Sequence, residues 1–169
     1  MPFTPFHFGL GALGKAALGS RFSFAVFAGS QVLMDLEPGI KMFGGLDGPL
    51  HGPTHTIPGA LLIALIAIFI TEAWQRYGPE SLVNRIGKSP LGVIVGTALF
   101  GTLSHIALDA MMHADMGLNQ QMRQALGPGD EIASLPELLC TFALLAAPFV
   151  WLIRRKVDQL VREERLPRF

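Results

Sequence analysis

Five histidines and a handful of acids are grouped along a chain that is otherwise largely apolar. His7 stands near the start, Asp35 and Glu37 come next, His51 and His55 follow, and His105, Asp109 and His113 form the last group. Imidazole nitrogens and carboxylate oxygens are the ligands from which zinc, manganese and iron sites are built. With 50% hydrophobic and only 15% charged residues, the chain has little other reason to concentrate its polar groups in this way.

Spacing sharpens the reading. His105, Asp109 and His113 recur at i, i+4 and i+8 and so share one stripe of a helix. Asp109 is then either a ligand or the carboxylate that orients His105, a common arrangement behind a metal-bound imidazole. Ionisable groups inside or at the edge of a membrane are costly and usually functional. His51 and His55 lie four residues apart at a helix entrance, where Pro53 favours a looped start. The plainer alternative is that Thr54 or His55 caps that helix. Asp35 and Glu37 close an apolar helix at the end where the dipole opposes acids. Asp35 reads as a ligand or general base and Glu37 as a ligand or base, against a merely solvated helix end. His7, between Phe6 and Phe8, is either a ligand or an interfacial histidine. Met111, Met112, Met116 and Met122 read as packing material rather than soft-metal ligands.

Helices must position these groups. A length of 169 residues fits one domain with a real core. A mean hydropathy of +0.44, long apolar stretches and Trp or Tyr at their ends point to a bilayer. Residues 6–19 predict a short small-residue helix, with Thr4 as N-cap, Pro5 in the first turn and glycines and alanines for close packing. Residues 22–36 predict an apolar helix broken by Glu37-Pro38-Gly39, and glycines and prolines over 38–56 predict a folded loop. Residues 57–74 are the clearest membrane helix, followed by a polar connector over 78–89 and a further helix over 90–113. Residues 114–135 are polar, with a short surface helix over 119–126. The last apolar helix spans 135–153 and stops at Arg154-Arg155-Lys156, with a charged tail continuing as a surface helix.

The expected fold is therefore all-α, a polytopic membrane bundle of about five helices with its ligands converging at one end. A membrane-embedded domain covers 1–156 and a charged cytoplasmic tail covers 157–169. The first residues lack a basic segment and a small-residue cleavage site, so they are expected to be retained. Cys140 permits no internal disulfide and reads as buried packing. A formal charge of zero suggests no nucleic-acid partner.

If each helix crosses to the opposite side, His7, Asp35 with Glu37, His51 with His55, and His105 through His113 all arrive on one face. Most Lys and Arg residues take the other face, with Lys41 and Arg123 the exceptions. The positive-inside rule then makes the basic face cytoplasmic and turns the histidine face toward the periplasm or exterior.

With these residues in hand, the chain resembles the YdjM-like inner-membrane metal-dependent hydrolases. The family carries an N-terminal His, a Pro-Asp-x-Asp segment, a His-Arg-Gly-x-Thr-His segment and a Ser-His-x-x-x-Asp helix. The matches here are His7, the run from Leu33 to Glu37 with its acids Asp35 and Glu37, His51-Gly-Pro-Thr-His55, and Ser104-His105 through Asp109. The order covers most of residues 1–117. The resemblance implies a distant similarity to the all-helical zinc-dependent phospholipase C fold, a cluster of divalent metals and a phosphoester substrate. The chain departs from the pattern at Met34 and Glu37, and it lacks the arginine between the two histidines, which would supply a bidentate phosphate fork.

The residues together with the resemblance imply an integral membrane metal-dependent hydrolase, expected to act on a lipid-like ester or phosphoester at the outer interface of a bacterial inner membrane. The expected metal is zinc, with manganese as the other candidate. His7, Asp35, His51, His55, His105, Asp109 and His113 are the expected ligands, and Glu37 and Asp35 the expected catalytic acids. The competing function is a non-enzymatic metal-binding or metal-transporting membrane protein.

Overall fold

The computed structural model describes residues 7–113, 116 and 131–163, with side chains in the last stretch from 135 onward. Thr4, Pro5, Met122, Arg123, the short helix expected over 119–126 and the tail beyond 163 lie outside the described residues. Regular structure among the described residues is entirely helical: α1 (Phe8–Leu18), α2 (Phe24–Gly44), α3 (Ile57–Tyr77), α4 (Glu80–Ile86), α5 (Leu91–Met112) and α6 (Glu131–Arg162). Single 3-10 turns occupy Gly19–Arg21 and Pro53–His55.

Several boundaries differ from the sequence expectation: α6 begins at Glu131, inside the polar stretch expected over 114–135, and three further differences have a local reason. The break expected at Glu37-Pro38-Gly39 is absent, and α2 runs on to Gly44 with Pro38 inside it. A proline forfeits one helical hydrogen bond. Here Pro38 is buried, and a Glu37–Lys41 ion pair of 2.9 Å spans the turn around it. Gly45, at φ 61°, then ends the helix in the left-handed conformation, with its N–H and that of Leu46 both donating to the Lys41 carbonyl. The expected polar connector contains α4, which has Glu80 in its first turn, where the dipole favours an acid, and Val83 buried. That short element makes six helices among the described residues rather than about five. Finally, α6 does not stop at Arg154-Arg155-Lys156. Arg and Lys are good helix formers, and the helix continues to Arg162 with an Arg154–Asp158 pair at 3.8 Å.

The third helix begins cleanly. Thr56, not Thr54 or His55, is its N-cap: the Thr56 hydroxyl accepts from the Gly59 N–H at 3.1 Å and donates to the Pro53 carbonyl at 2.8 Å. His55 is thereby free to turn inward from the preceding 3-10 turn, and it is buried.

Helix α5 lies at the centre, packed against α2, α3 and α6, while α1 packs on α6 and α2. The apolar core falls in two clusters along α5. One gathers Met34, Ala60, Ile63, Ile106, Ala110 and Met116; the other gathers Val26, Ala64, Ala67, Ile94 and Ala98. Met116 thus takes the packing role expected of it. Small residues dominate because helix backbones that approach closely leave no room for more. At Gly9 the approach is closest, since a Cβ there would collide with the Cys140 carbonyl of α6. Cys140 is free and buried.

Three helices are long and apolar enough to cross a membrane: Ile57–Tyr77, Leu91–Met112 and Leu135–Arg162. Leu62, Leu65 and Phe69 on α3 and Leu138, Phe142, Leu145 and Phe149 on α6 are exposed, as a lipid-facing surface requires. Helix α2 adds an exposed apolar stripe of Val32, Leu36 and Ile40 at four-residue spacing.

Gly9→Val should lower the thermal midpoint in detergent by the equivalent of about 1–3 kcal/mol, the usual range for overpacking. Gly29→Ala is the control: nothing lies within 4 Å of its added carbon. It should be neutral or stabilising, since Ala is the better helix former by about 1 kcal/mol. Equal effects of the two substitutions would remove Gly9 as the contact that seats α1.

Candidate metal centre

Four separate segments bring polar side chains to one place. His7 precedes α1, Asp35 comes from the middle of α2, His51 and His55 come from the loop before α3, and His105, Asp109 and His113 come from the last turns of α5 and its C-cap. Because α3 starts where α5 ends, their antiparallel packing delivers these groups to one end of the pair. His105 lies seven residues before the end of α5 (112 − 105), or about 10 Å inward at 1.5 Å per residue. Since α2 is longer than expected, Asp35 and Glu37 lie in its interior rather than at its end.

His105 and Asp109, one turn apart on α5, are both buried. Asp109 Oδ2 lies 3.0 Å from His105 Nε2 and 3.4 Å from His55 Nε2, and the two Nε2 atoms are 3.3 Å apart. Asp35 Oδ1 completes the group at 3.3 Å from His105 Nε2. A tetrahedral ion with bonds of about 2.0–2.1 Å has ligand–ligand edges of about 3.3 Å. Four of the six donor pairs match that edge, and all four donor atoms lie within 4.8 Å of one another, close enough to hold a single ion. Asp35 Oδ2 is buried with no hydrogen-bond partner among the described residues, an exception that a native fold rarely leaves unused. Nitrogen and carboxylate donors of this kind suit zinc or manganese.

Asp109 also belongs to a second group, with His51 and His113. Its Oδ2 is 3.9 Å from His51 Nε2 and its Oδ1 is 4.0 Å from His113 Nε2. The His51 and His113 rings lie 4.3 Å apart, centre to centre. This group is looser than the first and more exposed at His113.

His7 joins neither group. Its ring stands edge-on to His105, with the two Nδ1 atoms 3.2 Å apart and its Nε2 3.5 Å from Asp109 Oδ1. Burial, and then the adjacent His105, push its pKa down to about 4, so it is neutral at pH 7.

Glu37 stands one layer behind the cluster. Its Oε2 accepts from both the N–H and the hydroxyl of Thr54, and its Oε1 pairs with Lys41. Burial pushes the carboxyl up, but the Thr54 and Lys41 hydrogen bonds outweigh it and hold the pKa at about 2. With its single proton given to Glu37, the Thr54 hydroxyl can only accept from His55 Nδ1, 3.0 Å away. His55 then carries its proton on Nδ1 and turns a bare Nε2 to the cluster. Glu37 and Thr54 thus orient a candidate ligand, the arrangement that commonly stands behind metal-bound imidazoles.

Gln31 was not among the residues singled out from the sequence. It is fully buried, and its Oε1 lies 2.7 Å from His105 Nδ1. A signal was present: it is a lone amide in an apolar helix, one turn before Asp35 and on the same face.

Comparison with known protein families, curated proteins and solved structures finds no match to this chain.

Glu37→Gln should destabilise the metal-free protein at pH 7 by about 1–3 kcal/mol, because the new amide turns a donor toward Lys41 or Thr54. The Glu37 pKa falls from an ordinary 4.5 to about 2, so its contribution is full above pH 4.5 and fades as the pH approaches 2. The gap between wild type and variant in thermal midpoint should therefore narrow below pH 4.5. A constant gap down to pH 2 would show that packing, not charge, secures this loop.

Proposed function

We propose that this chain is an integral membrane metal-dependent hydrolase whose substrate is a lipid-like ester or phosphoester. The observation that carries the reading is the set of four donors from Asp35, His55, His105 and Asp109, spaced at 3.0–3.4 Å where measured and drawn from three segments. The hydrolase part of the reading comes from the motif resemblance to YdjM-like hydrolases, which rests on the same residues. Asp35, His55, His105 and Asp109 would hold one divalent ion, zinc or manganese. His51 and His113, with Asp109 shared, would hold a second. A divalent ion so held lowers the pKa of a water and polarises the scissile group.

The chain's own residues supply the rest. Asp35 has one oxygen facing the ligand set and one buried oxygen without a partner, which suits it to accept a proton from the attacking water. His55 and His105 are buried too deeply to exchange places with solvent. The exposed stripe of Val32, Leu36 and Ile40 runs beside Asp35 on α2 and would let acyl chains lie alongside the site. Lys and Arg at the far ends of α3 and α6 favour a cytoplasmic basic end and a site facing the periplasm of a bacterial inner membrane.

Detergent-purified protein should contain stoichiometric zinc or manganese by mass spectrometry, and His55→Ala/His105→Ala should lose it. Asp35→Asn keeps one oxygen for the ligand set, so it should retain metal while kcat on lipid esters or phosphoesters falls about 10²–10⁴-fold. Metal without hydrolysis of any such substrate would favour a binding or transport role. No metal after reconstitution would overturn the hydrolase reading.

A further inference from the structure

A histidine ligates through a nitrogen that carries no proton, and which nitrogen that is depends on what the other one bonds to. For His55 the Thr54 hydroxyl settles the matter. For His105 the deciding group lies on α2. The Gln31 Nε2 donates to the Gly101 carbonyl at 2.8 Å. A carbonyl only accepts, so the amide cannot be turned the other way around, and its oxygen must face His105 Nδ1 at 2.7 Å. An amide oxygen only accepts as well, so His105 Nδ1 must be the donor. His7 Nδ1, 3.2 Å from the same atom, is left the role of a second acceptor.

We infer that Gln31 is a positioning residue that fixes the His105 proton on Nδ1 and reserves Nε2 for a metal ion. The inference rests on His105 being a ligand, as proposed above. The chain builds this contact at close quarters. Gln31 and Gly101 face each other across the α2–α5 interface, and a Cβ at Gly101 would collide with Ser30 Oγ and come within 3.5 Å of the Gln31 amide nitrogen. Having no side chain at Gly101 leaves room for Ser30 beside Gln31, so that α2 can approach α5 closely at this carbonyl. Both Gln31 and His105 are completely buried, so water cannot substitute for the amide. Gln31 and Asp35 occupy one face of α2 a turn apart, so the same helix supplies a donor to the ligand set and the group that orients its neighbour.

The test begins with wild-type protein carrying ¹⁵N-labelled histidine in detergent micelles. In the metal-free state His105 should show a proton bound to Nδ1. After loading with ¹¹³Cd²⁺, the metal coupling should appear at Nε2. A proton confined to Nε2, or metal coupling at Nδ1, overturns the inference. Because the metal-free spectrum reports the Nδ1 proton by itself, whether or not Nε2 beside Asp35 and Asp109 carries one too, a failure to bind metal would sink the functional reading and leave this inference to be judged separately. Substitutions give the second arm. Gln31→Met matches the length but has no acceptor, so zinc affinity by chelator competition should fall about 10–100-fold. Gln31→Glu, protonated in this buried setting, keeps one acceptor for His105 and one donor for Gly101, and it should restore affinity to within a few-fold of wild type. Unchanged affinity in folded Gln31→Met, or no rescue by Gln31→Glu, would reduce Gln31 to a packing residue. Should Gln31→Met fail to fold, the wild-type spectra decide alone.

Discussion

The fold is organised around one buried carboxylate. Asp109 sits within about 4 Å of five imidazoles from three chain segments, and nearly all of its surface is covered. Taking an anion out of water costs several kcal/mol even after relaxation, and a domain is stable by only about 5–15 kcal/mol. Such a group persists only where cations or hydrogen-bond donors surround it. Three segments meet around it: the start of α1 through His7, whose Nε2 is left to donate, the loop before α3 through His51 and His55, and the end of α5 through His105 and His113. Where His55 and His105 turn a bare Nε2 to the carboxylate, a shared cation would supply the compensation. The ligand geometry and the packing of this end of the bundle have a common cause.

Close backbone approach makes that convergence possible. Where α1 meets α6 and where α2 meets α5, glycine removes the side chain that would hold the helices apart. At Gly101 the result is chemical as well as steric, since its buried carbonyl accepts from the buried Gln31 amide. Around His55 a loop performs the equivalent service. Thr56 caps α3 and releases His55 from that duty, while Glu37 fixes Thr54 from the preceding helix, α2. The two central imidazoles are thus oriented by different devices, an amide from a facing helix and a hydroxyl from the preceding residue.

Much of this was legible in the sequence because it is local. The four-residue recurrence of His105, Asp109 and His113 identifies a helical stripe without any structure, and the structure places all three beside the other histidines. The all-helical class and apolar helices over 57–74, 90–113 and 135–153 follow from composition and length in the same way, and the structure has spans at Ile57–Tyr77, Leu91–Met112 and Leu135–Arg162 there. Other features depend on what lies across from a residue. Pro38 reads as a helix stop, yet α2 passes through it because the proline is buried and Glu37 reaches Lys41 over the turn. Arg154-Arg155-Lys156 reads as the end of a membrane segment, but a charge run limits burial and not helicity. Gln31 was passed over because its importance lies in Gly101 and His105, seventy or more residues away.

Burial within the polar group follows a gradient that gives it a direction. The side chains of His105, His55, His51, His7 and Asp109 are all at most 4% exposed, whereas Asp35 and His113 reach 20% and 17%. The residues with the most converging contacts are thus sealed, and among the described residues of the group partial exposure is found at Asp35 on the α2 side and at His113 at the end of α5. Asp35 combines that partial access with a buried oxygen that no other group occupies. An ion held by His55, His105 and Asp109 would sit behind this carboxylate as seen from solvent. A molecule approaching from the α2 side would meet Asp35 before the imidazoles, with the apolar stripe of Val32, Leu36 and Ile40 along the same helix. The gradient sets a fixed interior against an accessible edge, and in a membrane the edge beside an apolar helix face is the one that a lipid reaches most readily.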